Sequence, residues 1–171
     1  MSEFDNNRTG ERASIGGSVV SINISAGGVP KRRVGGAKLS QFGLQGDAQN
    51  DKKNHGGPDR AVCVYALDRI QSLQKEGHPI DIGTAGENLT IDGIDWAHVV
   101  PGVHLRVGDQ VVLEVLSFTN PCKTIRASFT DGKFIRIAQS IHPGWSRVYA
   151  RVLRDGEIQV GNNVELVSGP E

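Results

Sequence analysis

Most apolar residues of the chain occur in short runs or alternate with polar residues, and this pattern favours strands. Residues 17–24 alternate between the two classes, which is the period of a half-buried strand. Further strands are predicted where similar short runs stand between turn-forming residues, at 37–42, 60–65, 89–91, 105–116, 146–153 and 163–167. Gly108-Asp109 and residues 154–157 are typical of hairpin turns.

Two segments instead show features of a helix. Apolar residues recur three positions apart within residues 66–75, and Gly77 ends the run. A second helix is predicted over residues 133–141, before a Pro-Gly pair. The 22 glycines suit turns better than helix interiors. Short strands with only two helices predict a mainly β fold, built as a partly closed β-barrel with a few short helices.

Composition narrows the class of protein. The 171 residues suit one domain, predicted over 15–171, after a disordered polar tail at 1–14. Lys plus Arg equal Asp plus Glu at 19 each, which disfavours nucleic-acid binding because phosphate contacts need cations. No signal peptide or membrane span is indicated, so we expect a cytoplasmic protein without membrane contact. In a reducing compartment the two cysteines are not expected to form a disulfide.

The polar segment 43–59 is long for a loop and is therefore a candidate site. One interpretation is a solvated loop with glycine turns. In another, the glycines after His55 let backbone N–H groups approach an anion. In a third, oxygen and imidazole ligands collect a hard divalent cation, as in a metal-dependent hydrolase. The candidates for that set are Asp47, Asp51, His55 and Asp59.

Several polar residues outside that loop admit both a structural and a functional interpretation. Asn88, beside the Gly86 turn, either caps the backbone or hydrogen-bonds a heterocycle. The run 31–33 is either a solvated cationic surface or a phosphate site, since arginine offers two donors at once. Arg147 and Arg151 share one face of a strand if no bulge intervenes, and are candidates for the same role.

The two cysteines stand in different surroundings. Cys63 lies inside an apolar strand, where a thiol acts as a small hydrophobe. Cys122 follows Pro121 at the end of a strand and precedes Lys123 and Arg126, cations that favour a thiolate. Zinc is disfavoured because neither a second nearby cysteine nor a histidine pair is present, and no papain-like signature surrounds the thiol. Cys122 is therefore predicted to be reactive or ligating.

Five short motifs, in this order, resemble those of the MOSC domains, named for the C-terminal domain of molybdenum cofactor sulfurase. The resemblance covers residues 16–167 and is to the free-standing bacterial type. The motifs are Gly46-Asp47, the segment 55–62 (HGGPDRAV), the segment 86–90 (GENLT), Pro121-Cys122 and the segment 149–153 (YARVL).

The resemblance implies a barrel that binds the molybdenum cofactor, molybdopterin, with Cys122 as the metal ligand. It also implies an oxidoreductase that reduces N-hydroxylated small molecules and receives electrons from a separate donor protein. The alternative is a non-enzymatic carrier of sulfur, as a persulfide on Cys122, or of the cofactor itself. The oligomeric state stays open. The residues expected to contact the cofactor or substrate are His55, Gly56, Arg60, Asn88, Arg151, Lys31 and Arg33.

Overall fold

The computed structural model describes residues 16–48 and 57–167. The predicted tail at 1–14 lies outside this range, as do Asp51, His55 and Gly56. The strands are β1 (Gly16–Ile24), β2 (Arg32–Val34), β3 (Gly36–Ser40), β4 (Gly43–Leu44), β5 (Val62–Ala66), β6 (Leu89–Asp92), β7 (His104–Val107), β8 (Val111–Phe118), β9 (Val148–Arg154), β10 (Gly156–Gln159) and β11 (Asn163–Val167). One α-helix, α1 (Leu67–Lys75), lies within the described residues. Short 3-10 helices occupy Pro58–Arg60, Trp96–His98, Lys123–Ser128, Thr130–Gly132 and Phe134–Ile137.

Seven strands form a barrel in the order β11-β7-β8-β9-β5-β6-β1, and pairing of β11 with β1 closes it. The mainly β prediction is confirmed, and the barrel is closed rather than partly closed. Strand β1 makes closure possible because its first residues pair with β11 and its last with β2. A register shift between Val19 and Ser21, opposite β6, bends the strand between the part that pairs with β11 and the part that pairs with β2. No helix among the described residues is long and apolar enough to span a membrane.

A second sheet, β10-β3-β4, corrects the prediction of a hairpin at residues 154–157. After β9 the chain leaves the barrel, and β10 pairs with β3 instead of folding back on β9. This pairing lets two apolar side chains, Leu39 and Ile158, become fully buried. Burial of such side chains stabilises the second sheet more than a local turn would.

The helix α1 connects β5 to β6, the parallel pair of the barrel. It buries Ile70 and Leu73 against the core, as the spacing of apolar residues predicted. The helix predicted at 133–141 is wrong, because only Phe134–Ile137 forms a single 3-10 turn. Its β-branched and aromatic residues have low helix propensity, and one of them, Ile137, is fully buried.

The side chain of Asn88, just before β6, ties three parts of the chain together. Its Oδ1 accepts the backbone N–H of Cys63 at 3.0 Å, while its own N–H donates to the Cys63 carbonyl at 2.8 Å. Its Nδ2 donates to the Asn23 carbonyl at 3.2 Å and to Asp47 Oδ2 at 2.9 Å. Asn88 thus continues the β5–β6 pairing and joins it to β1 and to the segment after β4.

Glu87, next to Asn88, is a fully buried carboxyl. Its Oε1 accepts hydrogen bonds from the Gly83 N–H at 2.6 Å and from the Thr90 hydroxyl at 3.2 Å. Its Oε2 has no hydrogen-bond partner among the described residues. Burial raises the pKa of Glu87, and the hydrogen bond from Gly83 opposes this rise. Glu87 is therefore a group through which pH changes the stability of the fold.

We expect Asn88→Ala to lower the free energy of unfolding by about 3 kcal/mol, because it leaves several buried donors and acceptors without partners. Urea unfolding measures this loss. Asn163→Ala, at an exposed position of β11, is the control and should change stability by no more than about 0.5 kcal/mol. Equal effects of the two substitutions would contradict the structural role given to Asn88.

The buried carboxyl group of Glu87 should make the free energy of unfolding depend on pH. Its folded-state pKa lies above the ordinary value of 4.5, so above that pH the folded state keeps a proton that the unfolded state has lost. The free energy of unfolding therefore falls as pH rises from 4.5 through the folded-state pKa. Because other titrations cancel in this difference, the stability of the wild type relative to Glu87→Gln should fall as pH rises above 4.5. A difference that is constant with pH would contradict this expectation.

Candidate functional site

One cavity, of about 270 Å³, brings together the ends of several barrel strands and the segments that follow them. Its wall includes both cysteines, Asn88 and two residues at the start of β9. The lining residues are Gly28, Val29, Lys31, Ala48, Cys63, Ala85, Gly86, Asn88, Cys122, Thr124, Ile125, Arg147 and Tyr149. The residues come from widely separated parts of the sequence, and the barrel fold makes them neighbours.

Cys122 lines this cavity and is more exposed than Cys63. Strand β8 ends at Phe118, and Cys122 stands in extended conformation directly before the 3-10 helix Lys123–Ser128. The residue is half-exposed, and its carbonyl accepts the N–H of Ile125 at 3.1 Å. Lys123 and Arg126 are exposed and do not line the cavity. The position leaves the Cys122 thiol accessible to a bound group.

Cys63 lines the same cavity from β5, where it pairs with Tyr149 of β9. It is only 4% exposed, and both cysteines are free thiols. Burial raises the pKa of the Cys63 thiol, and the charge of Arg147 is the largest opposing influence. The burial of Cys63 in its strand agrees with the prediction that it acts as a small hydrophobe. The apolar pattern did not indicate that it also lines a cavity.

Arg147 and Tyr149 form the polar wall of the cavity. Arg147 is 6% exposed, and its Nη1 donates to the Ala85 carbonyl at 2.6 Å. Its Nε has no hydrogen-bond partner among the described residues. Burial, followed by the proximity of Cys63, raises the pKa of Tyr149, so its hydroxyl stays protonated at neutral pH. Of the residues predicted at the site, Arg60 lies just behind, with its guanidinium carbon 5.7 Å from the Tyr149 ring centroid.

Lys31 reaches the cavity as a paired cation. Its Nζ lies 2.7 Å from Asp47 Oδ1, and both side chains are almost buried. Asp47 also accepts the Ser25 N–H at 2.9 Å and the Asn88 amide, so both of its oxygens are occupied. No group of three or more His, Cys, Asp or Glu side chains that could hold a metal ion occurs in the described ranges. The hydrolase interpretation thus loses Asp47 as a ligand, and Asp59 is exposed.

Two predicted site residues lie away from the cavity. Arg33 is exposed, with its Nη2 4.0 Å from Asp81 Oδ1. Arg151 lies opposite Glu114 of β8, and its Nη2 is 2.6 Å from Glu114 Oε2. Arg151 follows Arg147 by four residues, which is about 13 Å along a strand, so it lies beyond the cavity.

The structure thus brings Cys122, Asn88 and Lys31 together, with Arg60 behind Tyr149. His55 and Gly56 lie outside the described residues. The predictions missed Tyr149 and the cavity-facing side of Cys63, and they placed Arg151 rather than Arg147 among the residues expected to contact the cofactor or substrate. Alternation along a strand was the available signal, because it puts 147 and 149 on one face. It could not show where along that face the cavity ends.

Comparison with known proteins gives the family. The family model described as the MOSC domain matches residues 51–165, more than half of the chain. The chain is 34% identical over 146 residues to the uncharacterized protein YflK of Bacillus subtilis (strain 168), covering 84% of this chain and 65% of YflK. It is 30% identical over 135 residues to protein YiiM of Escherichia coli (strain K12), covering 76% and 58% respectively.

A further relative is a protein named Reductase from Gibberella moniliformis (strain M3125 / FGSC 7600). It is 28% identical over 165 residues, which are 94% of this chain but 28% of the relative. The chain therefore spans less than two thirds of the length of each of these relatives. The crystal structure of YiiM from Geobacillus stearothermophilus superposes with a TM-score of 0.69 at 24% identity, covering 88% of this chain and 75% of that one, and so shares the fold. From the family match and the shared barrel, the chain belongs to the MOSC domain family.

Proposed function

We propose that the protein binds the molybdenum cofactor in this cavity and reduces N-hydroxylated small molecules. The observation that carries the proposal is the placement of Cys122, a half-exposed thiol in the lining of a cavity whose inner wall offers hydrogen-bond donors. Thiolates are the side-chain ligands that suit a soft metal centre. The family match supports the proposal, since MOSC domains are related to molybdenum cofactor sulfurase.

The chemistry of the wall fits such a group. The cofactor carries sulfur, a fused heterocycle and a phosphate, so it needs a metal ligand and donors for its anionic and carbonyl oxygens. Cys122 would supply the ligand, and the guanidinium group of Arg147, which lines the cavity, would supply donors. Asn88 has a different task here, because its amide is already bonded to Asn23, Cys63 and Asp47. It would shape the wall rather than contact the heterocycle.

When bound, the cofactor would supply the redox centre at which the N–O bond is cleaved. Reduction of an N-hydroxyl group replaces this bond with an N–H bond and releases water, which consumes a pair of electrons and two protons. In this chain Tyr149 keeps its proton at neutral pH and lines the cavity, so its neutral side chain would form part of the wall beside a polar substrate. Burial of the wall would keep solvent away from the bound substrate.

The electrons would come from a separate donor protein. The relative named Reductase supports a redox reaction in this family, and it is more than three times as long as the part that matches this chain. A donor would have to approach Cys122, which is half-buried, from outside the cavity.

The proposal predicts which of the two thiols holds the metal. In protein purified from a host that makes the cofactor, Cys122→Ala should reduce the molybdenum content by about tenfold or more, a loss of binding free energy of about 1.4 kcal/mol or more. Cys63→Ala should leave the content close to that of the wild type, because Cys63 is buried and burial keeps its thiol protonated. Elemental analysis of the three proteins measures the effect. Full molybdenum in Cys122→Ala would contradict the ligand role.

The same proteins separate catalysis from carriage. With a chemical electron donor and an amidoxime as substrate, the wild type and Cys63→Ala should form the amidine, and Cys122→Ala should lose about a hundredfold in kcat/KM or more. Mass spectrometry of the isolated wild type would show whether Cys122 carries a persulfide. A persulfide with no turnover of any N-hydroxylated substrate would instead favour the carrier function.

A further inference from the structure

Arg147 is a buried cation that lacks a counter-ion in the described part of the chain. It is 6% exposed, and no carboxylate oxygen in residues 16–48 or 57–167 lies within 4.0 Å of its guanidinium nitrogens. The guanidinium group makes one hydrogen bond to a described residue, from Nη1 to the Ala85 carbonyl. A guanidinium group has five N–H donors and a permanent charge, so most of its bonding capacity is unused.

The surroundings explain why this cation is costly. Charges removed from water are normally paired, because desolvation costs several kcal/mol per ion unless an opposite charge offsets it. Glu87 is near enough to influence Arg147 electrostatically, but burial raises the pKa of Glu87 and opposes its ionisation. The second cation of the wall, Lys31, is already neutralised by Asp47. Among the described residues of the wall, Arg147 is thus the cation that has no counter-ion and whose charge a ligand can balance.

The space in front of Arg147 is kept open by Gly86. This glycine has a φ of +81°, and a Cβ at its position would lie 4.0 Å from Arg147 Nη1 and 3.2 Å from Val29 Cγ1. Any side chain there would project into the volume between Val29 and the guanidinium group. Both Gly86 and Arg147 line the cavity, so the guanidinium group adjoins an accessible volume.

We propose that Arg147 makes the cavity an oxyanion-binding site, which takes a phosphate or carboxylate group of the bound ligand. Guanidinium groups bind these anions through two parallel N–H···O bonds, which the two terminal nitrogens can supply beside the Ala85 contact. The lack of a counter-ion among the described residues, the single hydrogen bond of the guanidinium group and the open space at Gly86 point to the same ligand chemistry. The site stands on this geometry alone and needs no molybdenum.

Inorganic phosphate is the probe. Phosphate at about 20 mM, bound with a dissociation constant near 1 mM, should raise the Tm of the metal-free chain by about 4 °C relative to chloride of equal ionic strength. Arg147→Gln should abolish the rise. Arg147→Lys keeps the charge without the paired donors and should retain a smaller rise. The matched control is Arg106→Gln, which removes an exposed arginine that pairs with Glu165 and should leave the rise unchanged.

The absence of a phosphate-dependent rise in the wild type would overturn the proposal, as would an undiminished rise in folded Arg147→Gln. Because the chain is metal-free, neither failure touches the role of Cys122. Circular dichroism verifies the fold of each variant, and Arg147→Lys keeps the test decisive if Arg147→Gln does not fold. In that case a rise in Arg147→Lys equal to that of the wild type and of Arg106→Gln would also overturn the proposal.

The source of the anion follows from a second comparison, on chain purified with the cofactor. If the cofactor's own phosphate occupies Arg147, the loaded chain should show no Tm rise with inorganic phosphate. If the anion belongs to the substrate, the loaded chain should still respond, and phosphate should raise the KM of an anionic substrate without lowering kcat. Both outcomes place an oxyanion at Arg147. Phosphate inhibition that persists unchanged in Arg147→Gln would place the anion elsewhere.

Discussion

The hydrogen bonds of the Asn88 side chain hold together the parts of the barrel that form the cavity. A single amide accepts from β5 and donates to β1 and to Asp47, and all these groups are buried or nearly so. Asp47 in turn holds the Lys31 ammonium group and the Ser25 N–H. Since a buried polar group without a partner is costly, each member depends on the others. The wall is therefore fixed before any ligand enters.

The two cations of this wall differ in whether they have a counter-ion, and this difference suits ligand binding. Lys31 and Asp47 cancel, whereas Arg147 has no counter-ion among the described residues. The two thiols are unequal as well, since one is buried in β5 and the other is half-exposed beyond β8. Stability alone would favour a paired or absent cation and a buried thiol. The departures from that expectation, at Arg147 and Cys122, lie in the same cavity, as is typical of a functional site.

The sequence allowed the mainly β class, the helix α1 and the placement of Cys122 at a strand end to be predicted, because each depends on local periodicity or on a single proline. The closure of the barrel by β1 and β11 was not predictable, since it depends on a register shift within β1. Pairing of β10 with β3 likewise joins residues more than a hundred positions apart. At the site, the motif order indicated Asn88 but not its use, and strand alternation could not separate Arg147 from Arg151. Such distinctions depend on tertiary contacts.

X-ray absorption at the molybdenum edge can determine whether the sulfur of Cys122 binds molybdenum. Selenocysteine incorporated in place of Cys122, in a chain that also carries Cys63→Ala, would label this one ligand position with a heavier scatterer. If Cys122 is the ligand, a selenium neighbour should appear in the first coordination shell of the metal. A shell without selenium, in protein that holds its full complement of molybdenum, would show that Cys122 is not the ligand.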